Sequence, residues 1–532
     1  MRVLLISTAH PLEENPLPPL SLAYLAAALE SNGFEVQILD FLVTRYQPEK
    51  VRQKLEEYRP QIVGVTCVTL NYHLAVEMLE VCKTFDPAIV TVIGGPHVSF
   101  TPRETLLEAP WIDAVVIGEG DSTFVELVKA VDGGGSYEKI PGIAFHDHGT
   151  FVKTEPRPLI EDIDSLPLPS RHLIPLSRYR ALGTPCTVIT SRGCPYGCIF
   201  CSAHRMFGRR VRFRDPGIVV DEIERIQRDL GFQMINIVDD TFTVNHAHAS
   251  QVCEEILRRN LKIDWSAYAR VDNMSEKLIA LMKRAGCRMV LFGVESADEQ
   301  ILKTIKKGIT PDDVRRGVKI ATDGGMKVYC SFIIGLPRES HNTIQKTISF
   351  SDEINRQYGV EYGYHLLAPL PGTELYLKAD ELGIRLFSHD WADFDANRPI
   401  VETENMTREM AQEAINYYDD LLEDAWVEIE RGAAEGNQEW IARLEQKESI
   451  GFIWSLLQED IFDDTCPDSA VTSAGPAEAE AELARHLAGK LALPDDVVRR
   501  QVSRLVQEGL IHLVPEAECF RWRWQDSPSG SR

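Results

Sequence analysis

An α/β fold in three parts is predicted for this 532-residue chain. The parts are a doubly wound parallel sheet, a partial (β/α)6 barrel, and a mostly helical C-terminal module ending in a winged-helix pattern. Two observations carry the prediction. Short, continuously apolar runs alternate with amphipathic stretches through residues 1–130 and again from Thr187 to about residue 375. Unbroken apolar strands are what a parallel sheet covered on both faces requires. From about residue 385 the alternation gives way to long acidic helical stretches.

In residues 1–135, MRVLLIS, EVQILDF, QIVGVTCVT, AIVTVIGG and DAVVIGEG read as buried strands. Between them, LSLAYLAAALESNG is entered from Pro18-Pro19 and stopped by Gly33, and LAVEMLEVCKTF has helical spacing. Such alternation puts ligands beyond the carboxyl ends of the strands. Residues 136–185 lose the pattern. Gly133-Gly134-Gly135, a hairpin signal around HDHGT, and Pro156, Pro158, Pro167, Pro169 and Pro175 mark a small hairpin and linker. In 186–384 six strands are expected: TVITSRG, MINIVDD, DWSAYARV, MVLFGVES, KVYCSFIIGLP and EYGYHLLAPLPG. Six βα units make most of a TIM-type barrel, short of its full eight. Residues 385–447 read as a helical extension. In 448–532 a helix precedes TCPDSAVTSAGPAEAEAE, expected as a flexible insertion. ELARHLAGKL, a turn at Leu493-Pro494, DDVVRRQVSRLVQEGLI and the hairpin-like HLVPEAECFRWRW follow, in the order of a winged helix.

The chain carries 56 Lys and Arg against 80 Asp and Glu, a formal net charge of −24. That balance argues against nonspecific binding to nucleic acid or an anionic membrane surface. Residues 401–532 hold 28 acidic side chains against 12 basic, a net of −16, so the excess is concentrated in the tail. Arg499, Arg500 and Arg504 there read as a solvated helix face rather than a nucleic-acid contact. No apolar run reaches the roughly 18–20 residues that span a bilayer. The N-terminus lacks the longer apolar segment of a signal peptide. Eleven cysteines are too sparse for a secreted disulfide scaffold, so the compartment reads as reducing cytoplasm.

Three of the cysteines crowd into one loop. Cys194, Cys198 and Cys201 lie in TSRGCPYGCIFC, a CxxxCxxC spacing directly after the first barrel strand. Gly193, Pro195 and Gly197 make this a loop rather than a packed helix face. Structural zinc needs four ligands, and only His204 stands near enough in sequence to be a fourth. Three thiolates suit an iron–sulfur cluster with one iron left open. Cys330, by contrast, reads as a core strand residue.

This loop, at the end of the first strand of a partial barrel, resembles that of the radical S-adenosylmethionine (SAM) enzymes. The resemblance implies a [4Fe–4S] cluster held by Cys194, Cys198 and Cys201, whose open iron chelates the amine and carboxylate of SAM. One-electron reduction then yields methionine and a 5′-deoxyadenosyl radical. Further matches fall at successive strand ends. Asp239 and Asp240 in IVDDTFT resemble the grip on the SAM amine, and Arg270 in SAYARVD is placed for its carboxylate. Glu295 and Ser296 in FGVES and Ser331 in YCSFIIGLP are placed for ribose and methionine, while Gly335-Leu336-Pro337 and LAPLPGTEL resemble the motifs closing the fifth and sixth strands.

In the first domain Gly94-Gly95-Pro96-His97 closes the fourth strand and Gly118-Glu119-Gly120-Asp121 the fifth. Glycine-rich strand ends let backbone approach a large flat ligand. Dinucleotide binding fails on detail, because no GxGxxG follows the first strand. PPLSLAYLAAALE, GVTCVT, IGGPH and VIGEGDSTF together resemble the cobalamin-binding domain fused to one class of radical SAM enzymes. The DxHxxG of methionine-synthase-like domains is missing, and His10 lacks its Asp and Gly neighbours. Leu70 and Asn71 are the expected residues at the lower corrin face.

The resemblance implies a cobalamin-dependent radical SAM methyltransferase acting on an unactivated carbon, with an oxidative or ring-forming enzyme as the alternative. A non-catalytic cobalamin or redox sensor is a third reading. A small-molecule or peptide substrate and a one-electron reductant such as flavodoxin or ferredoxin are the implied partners. The domains expected are 1–135 (Rossmann-like, cobalamin-binding), 136–185 (hairpin and linker), 186–384 (radical SAM partial barrel), 385–447 (helical extension) and 448–532 (winged-helix module).

Overall fold

The computed structural model describes residues 1–9, 16–463, 466–473, 475–517 and 519–526. His10 lies outside them. Strands β1 (Arg2–Ser7), β2 (Glu35–Asp40), β3 (Ile62–Thr66), β4 (Val90–Gly94) and β5 (Ala114–Val116) are parallel, in the order β2-β1-β3-β4-β5. The chain reverses direction across the sheet between β1 and β3, and a doubly wound sheet opens its ligand crevice at such a point. The register sets Ser7, Thr66 and Gly94 level with one another at the carboxyl edge. The hairpin β6 (Ile143–Asp147) and β7 (Thr150–Lys153) pairs antiparallel onto β5 and extends this sheet to seven strands. It is thus part of the first layer rather than a free-standing linker element.

The barrel strands are β8 (Cys186–Val188), then the short ribbon β9 (Ser191–Arg192) and β10 (Arg212–Phe213), followed by β11 (Met234–Ile237), β12 (Asp264–Ala269), β13 (Cys287–Glu295), β14 (Lys327–Ile334) and β15 (Glu361–Leu366). Six of them, β8 and β11 to β15, form one open parallel sheet in chain order. Alternation along each strand divides the faces. Trp265, Ala267, Val290, Phe292, Cys330 and Phe332 pack outward under the helices, whereas Ser266, Tyr268, Leu291 and Ser331 face the concave side. The surrounding helices begin on side-chain caps: Asp215, Asn245, Ser275, Thr310 and Ser340 each accept backbone N–H bonds. Each cap is worth about 1 kcal/mol.

The tail begins with a two-stranded ribbon, β16 (Arg385–Leu386) with β17 (Val401–Glu402), and the helix Arg408–Ala434. Beyond it, helices Gln438–Gln458, Pro476–Leu491 and Asp495–Gln507 combine with β18 (Ala470–Val471), β19 (Ile511–Pro515) and β20 (Phe520–Trp524), paired β18-β20-β19, in winged-helix order. The segment expected to be a flexible insertion is built into this module. Residues 470–471 are a strand, the Glu482 carboxylate accepts from the Thr472 and Ser473 amides, and Pro476 opens an Ala/Glu-rich helix of high intrinsic propensity.

The module is pinned to the body. Lys50 pairs with Asp460 and Asp463 at 2.5 and 3.0 Å, and Arg178 with Asp463 at 3.2 Å. Arg499 pairs with Asp495 and Arg500 with Glu448, while half-buried Arg504 donates to the Ala181 carbonyl. The cations of the third helix are thus engaged within the protein. No described helix is long and apolar enough to cross a membrane.

Candidate active site

The cysteine loop leaves the end of β8 and is framed by the ribbon β9–β10. Gly193 has φ +103°, and a Cβ there would stand 2.7 Å from the Arg210 carbonyl oxygen, so only glycine fits. Cys194 N–H bonds the Gly208 carbonyl, Ile199 N–H the Ile305 carbonyl, and Leu375 N–H the Ile199 carbonyl. Tyr196 lies under the Arg270 guanidinium, 3.8 Å from ring centroid to carbon, and its hydroxyl accepts from Asn273 at 2.7 Å. The loop is therefore held on every side before any cofactor arrives.

Burial pushes all three thiols up, Cys201 to about 11. Asp240 adds to the effect at Cys194 and Cys201, whereas Lys307 and Arg270 oppose it at Cys198. Among the described residues no three His, Cys, Asp or Glu side chains converge as the donors of a single metal ion. A lone zinc needs its donors about 2.0–2.3 Å from one point. The thiolates of a cubane cluster sit on separate irons and need not converge on one point.

The two aspartates at the end of β11 divide their work. Asp239 is fully engaged: one carboxylate oxygen accepts from the Thr190 and Ser191 amides at 2.6 and 3.2 Å, the other from their hydroxyls at 2.5 and 2.7 Å. It ties the end of β11 to the root of the cysteine loop, and no lone pair is left facing outward for a ligand. Asp240 faces the cavity, and burial together with the Asp239 charge raises its pKa to about 6.

Arg270 is bound in two places to Asp272, both at 3.0 Å, and to the Lys307 carbonyl at 2.8 Å. Glu295 has φ +73° and accepts from Lys307 Nζ at 2.7 Å; a side chain on Gly293 would overlap that pair. Ser296 points the other way, into the helix layer, where its hydroxyl meets Thr347 and caps Asp298 N–H. It is removed from the expected ribose contacts. Ser331 is half-buried on the concave face, level with Gly293 and Gly363. Gly335 (φ +106°) and Leu336 donate to the buried Glu339 carboxylate, and Pro337 is buried in the same turn.

Across from this edge, the carboxyl ends of β1, β3, β4 and β5 wall a cavity of about 490 Å3. Its walls include Ser7, Thr66, Gly94, Gly95, Gly118 and Gly120 on one side and Ile189, Ser191, Arg192 and Asp240 on the other. Gly118 (φ +77°) has open space where a side chain would stand. Gly95 (φ +113°) sits so close to the Cys67 carbonyl that a Cβ would overlap it. Gly95→Ala pairs that clash with a positive φ that costs an L-residue about 1–2 kcal/mol. We expect at least roughly tenfold weaker hydroxocobalamin binding, read by visible absorbance titration, since 1.4 kcal/mol is a factor of ten.

Asn71 and Pro96 also line this cavity, and Asn71 accepts from the Val68 amide at 2.9 Å. Leu70 and His97 are not among its lining residues. His97 is turned into the core between the tilted ring of Tyr72 (4.4 Å) and the edge-on ring of Trp391 (4.9 Å), with Nδ1 3.2 Å from the Thr69 hydroxyl. Burial lowers its pKa from 6.5 to about 4. A depressed folded-state pKa gives stability that is present above pH 6.5 and lost as pH falls toward 4. His97→Phe should flatten that part of the Tm–pH profile, measured by thermal melts from pH 7.5 to 4.

Glu119 lines the cavity, and its carboxylate also forms a clasp between the two domains. Oε1 meets Arg192 at 3.3 Å; Oε2 meets Arg212 at 2.9 Å and accepts the Ile160 amide at 3.0 Å; Asp121 holds Arg192 at 2.9 Å. Sequence reasoning missed Arg192, Arg212 and Lys307. Arg192 abuts the cysteine loop in TSRGC, which was the signal available; Lys307 in KTIKKG looks like any solvated basic run.

A glycine-bearing sheet edge lines one side of this cavity, and Ser191, Arg192 and Asp240, which flank the three-cysteine loop and the end of β11, line the other. Residues 14–128 match the model of the B12 binding domain, and residues 188–351 that of the radical SAM superfamily. The chain is 37% identical over 395 residues to an uncharacterized methyltransferase of Pyrococcus horikoshii, covering 74% of this chain and 84% of that one. It is 33% identical over 403 residues to the anaerobic magnesium-protoporphyrin IX monomethyl ester cyclase of Rubrivivax gelatinosus, covering 74% and 71%. The cobalamin-dependent SAM radical enzyme OxsB has the same fold, with a TM-score of 0.69 at 18% identity over 96% of this chain and 79% of that one. The chain belongs to the cobalamin-binding radical SAM family. Its cofactors are cobalamin, a [4Fe–4S] cluster and SAM, and the residues present fit them: three thiols on a preformed loop, an open carboxylate near them, and a glycine-bearing wall opposite that carboxylate.

Proposed function

We propose that this enzyme transfers a methyl group from cobalamin to an unactivated carbon of a small-molecule or peptide substrate. The observation that carries the reading is the shared cavity: Gly94, Gly95, Gly118 and Gly120 face Ser191, Arg192 and Asp240 across it. When bound, the cluster with SAM supplies a 5′-deoxyadenosyl radical and the corrin supplies the methyl group. Cys194, Cys198 and Cys201 hold the cluster. Asp240 is the carboxylate free to accept the SAM ammonium, and Asp239 fixes the strand end that presents it. Arg270 and Lys307 contribute positive charge beside Cys198, favouring its thiolate. Glu295 and Ser331 complete the concave wall, and Asn71, which lines the cavity, would border the corrin. The clasp of Glu119, Asp121, Arg192 and Arg212 keeps the two halves closed against water.

The division into the five segments given above belongs to the same proposal, with the hairpin at 143–153 serving the first domain. No disulfide joins the described cysteines, and the enzyme works in the cytoplasm, where a low-potential carrier such as flavodoxin or ferredoxin reduces it. The name of the P. horikoshii relative favours methylation; that of the R. gelatinosus relative favours ring formation. Anaerobic turnover with methyl-labelled SAM separates them: label in the product supports methylation, and an unlabelled, oxidised product with 5′-deoxyadenosine formed overturns it. A sensor role is disfavoured by the engaged arginines of the winged helix.

A further inference from the structure

An electron for the cluster has to enter through the surface nearest the cysteine loop. Two segments hold the loop through backbone bonds, 203–210 at Gly208 and 303–308 at Ile305; Met206 and Phe207 of the first line the cavity, while its arginines are exposed. Both are rich in cations and hold no acid: AHRMFGRR has three arginines and KTIKKG three lysines, in a chain of net charge −24. Arg205, Arg209, Arg210, Lys303 and Lys306 are exposed. Arg209 is in no ion pair among the described residues, and its guanidinium lies 3.1 Å from where a Cβ of Gly197 would stand, directly on the cysteine loop. Glu374 pairs with Lys306, and Glu161 with Arg210. The third contact of the loop, helix Glu374–Leu377, ends on Leu377, 61% exposed beside these cations. An apolar point inside a charged rim is the anatomy of a transient protein interface.

We infer that this cationic face around Arg205, Arg209 and Lys306 is the docking site of a small acidic one-electron carrier protein that reduces the cluster. The inference rests on the radical SAM reading. The carrier loses one electron, the cluster gains it, and no bond changes. Opposite charge on the partner accelerates encounter, by roughly tenfold or more at low salt, and the gain fades as salt rises.

The test uses the full reconstituted chain, with reduced flavodoxin or dithionite as electron source and 5′-deoxyadenosine as readout. Arg209→Glu, alone and with Lys306→Glu, should raise half-saturating flavodoxin by about tenfold or more in low salt, while Arg209→Lys retains the native value. Dithionite-driven formation and the visible spectrum of the cluster should not change. An unaltered flavodoxin curve would overturn the assignment, as would equal losses with both reductants. So would a changed dependence on substrate with dithionite, which would make the face a substrate dock. Failure of the native chain with dithionite would instead refute the underlying radical SAM reading.

Discussion

Alanine at any one of Cys194, Cys198 or Cys201 will reduce the iron content of anaerobically reconstituted protein from about four per chain toward zero. 5′-Deoxyadenosine formation will disappear with it, whereas hydroxocobalamin will bind as to the native chain. The effect is total because a three-thiolate cluster has no spare ligand, and among the described residues no trio of His, Cys, Asp or Glu converges to take its place. Corrin binding survives because the glycine wall belongs to another sheet, whose register does not depend on the loop. Iron and sulfide analysis, absorbance titration and product chromatography check the three parts. Retained iron in all three variants would place the cluster elsewhere.

The second large effect is structural. Glu119→Ala removes the only carboxylate on Arg212 among the described residues, leaving that buried guanidinium with two carbonyl partners, Ile160 and Phe207. Arg192 keeps Asp121. Breaking a buried pair from one side costs about 3–5 kcal/mol, because the remaining charge stays desolvated. Thermal melts should show a Tm several degrees lower. Hydrogen exchange should rise in both 119–125 and 190–201, since the clasp joins those segments. A drop in Tm with exchange altered on one side only would contradict its bridging role.

Much of the architecture was legible because buried parallel strands are unbroken apolar runs, as in VLLIS, IVGVT and MVLFGVE, and because glycines punctuate them. The cysteine loop was legible for a different reason: three thiols in eight residues have few other uses. Single polar residues were harder to place. Asp239 and Asp240 are neighbours in sequence, yet one is consumed by Thr190 and Ser191 and the other is open, which depends on a strand 49 residues away. Ser296 follows Glu295 but points to the opposite side of β13, as the alternation of a strand dictates. His97 and Glu119 sit in glycine-rich motifs, and only tertiary packing shows that one packs against Trp391 and the other pairs with arginines. The low-complexity look of 465–482 concealed a strand and a helix start because Ala and Glu suit a helix as well as a linker.

In the proposed function both cofactors act on a single substrate held between the two domains. Pulse EPR on the chain carrying reduced [4Fe–4S] cluster and Co(II) cobalamin together tests this directly. Dipolar coupling between the two spins is expected, seen as splitting or accelerated relaxation of the cobalt signal that vanishes in Cys198→Ala. Two unperturbed, additive spectra would contradict it.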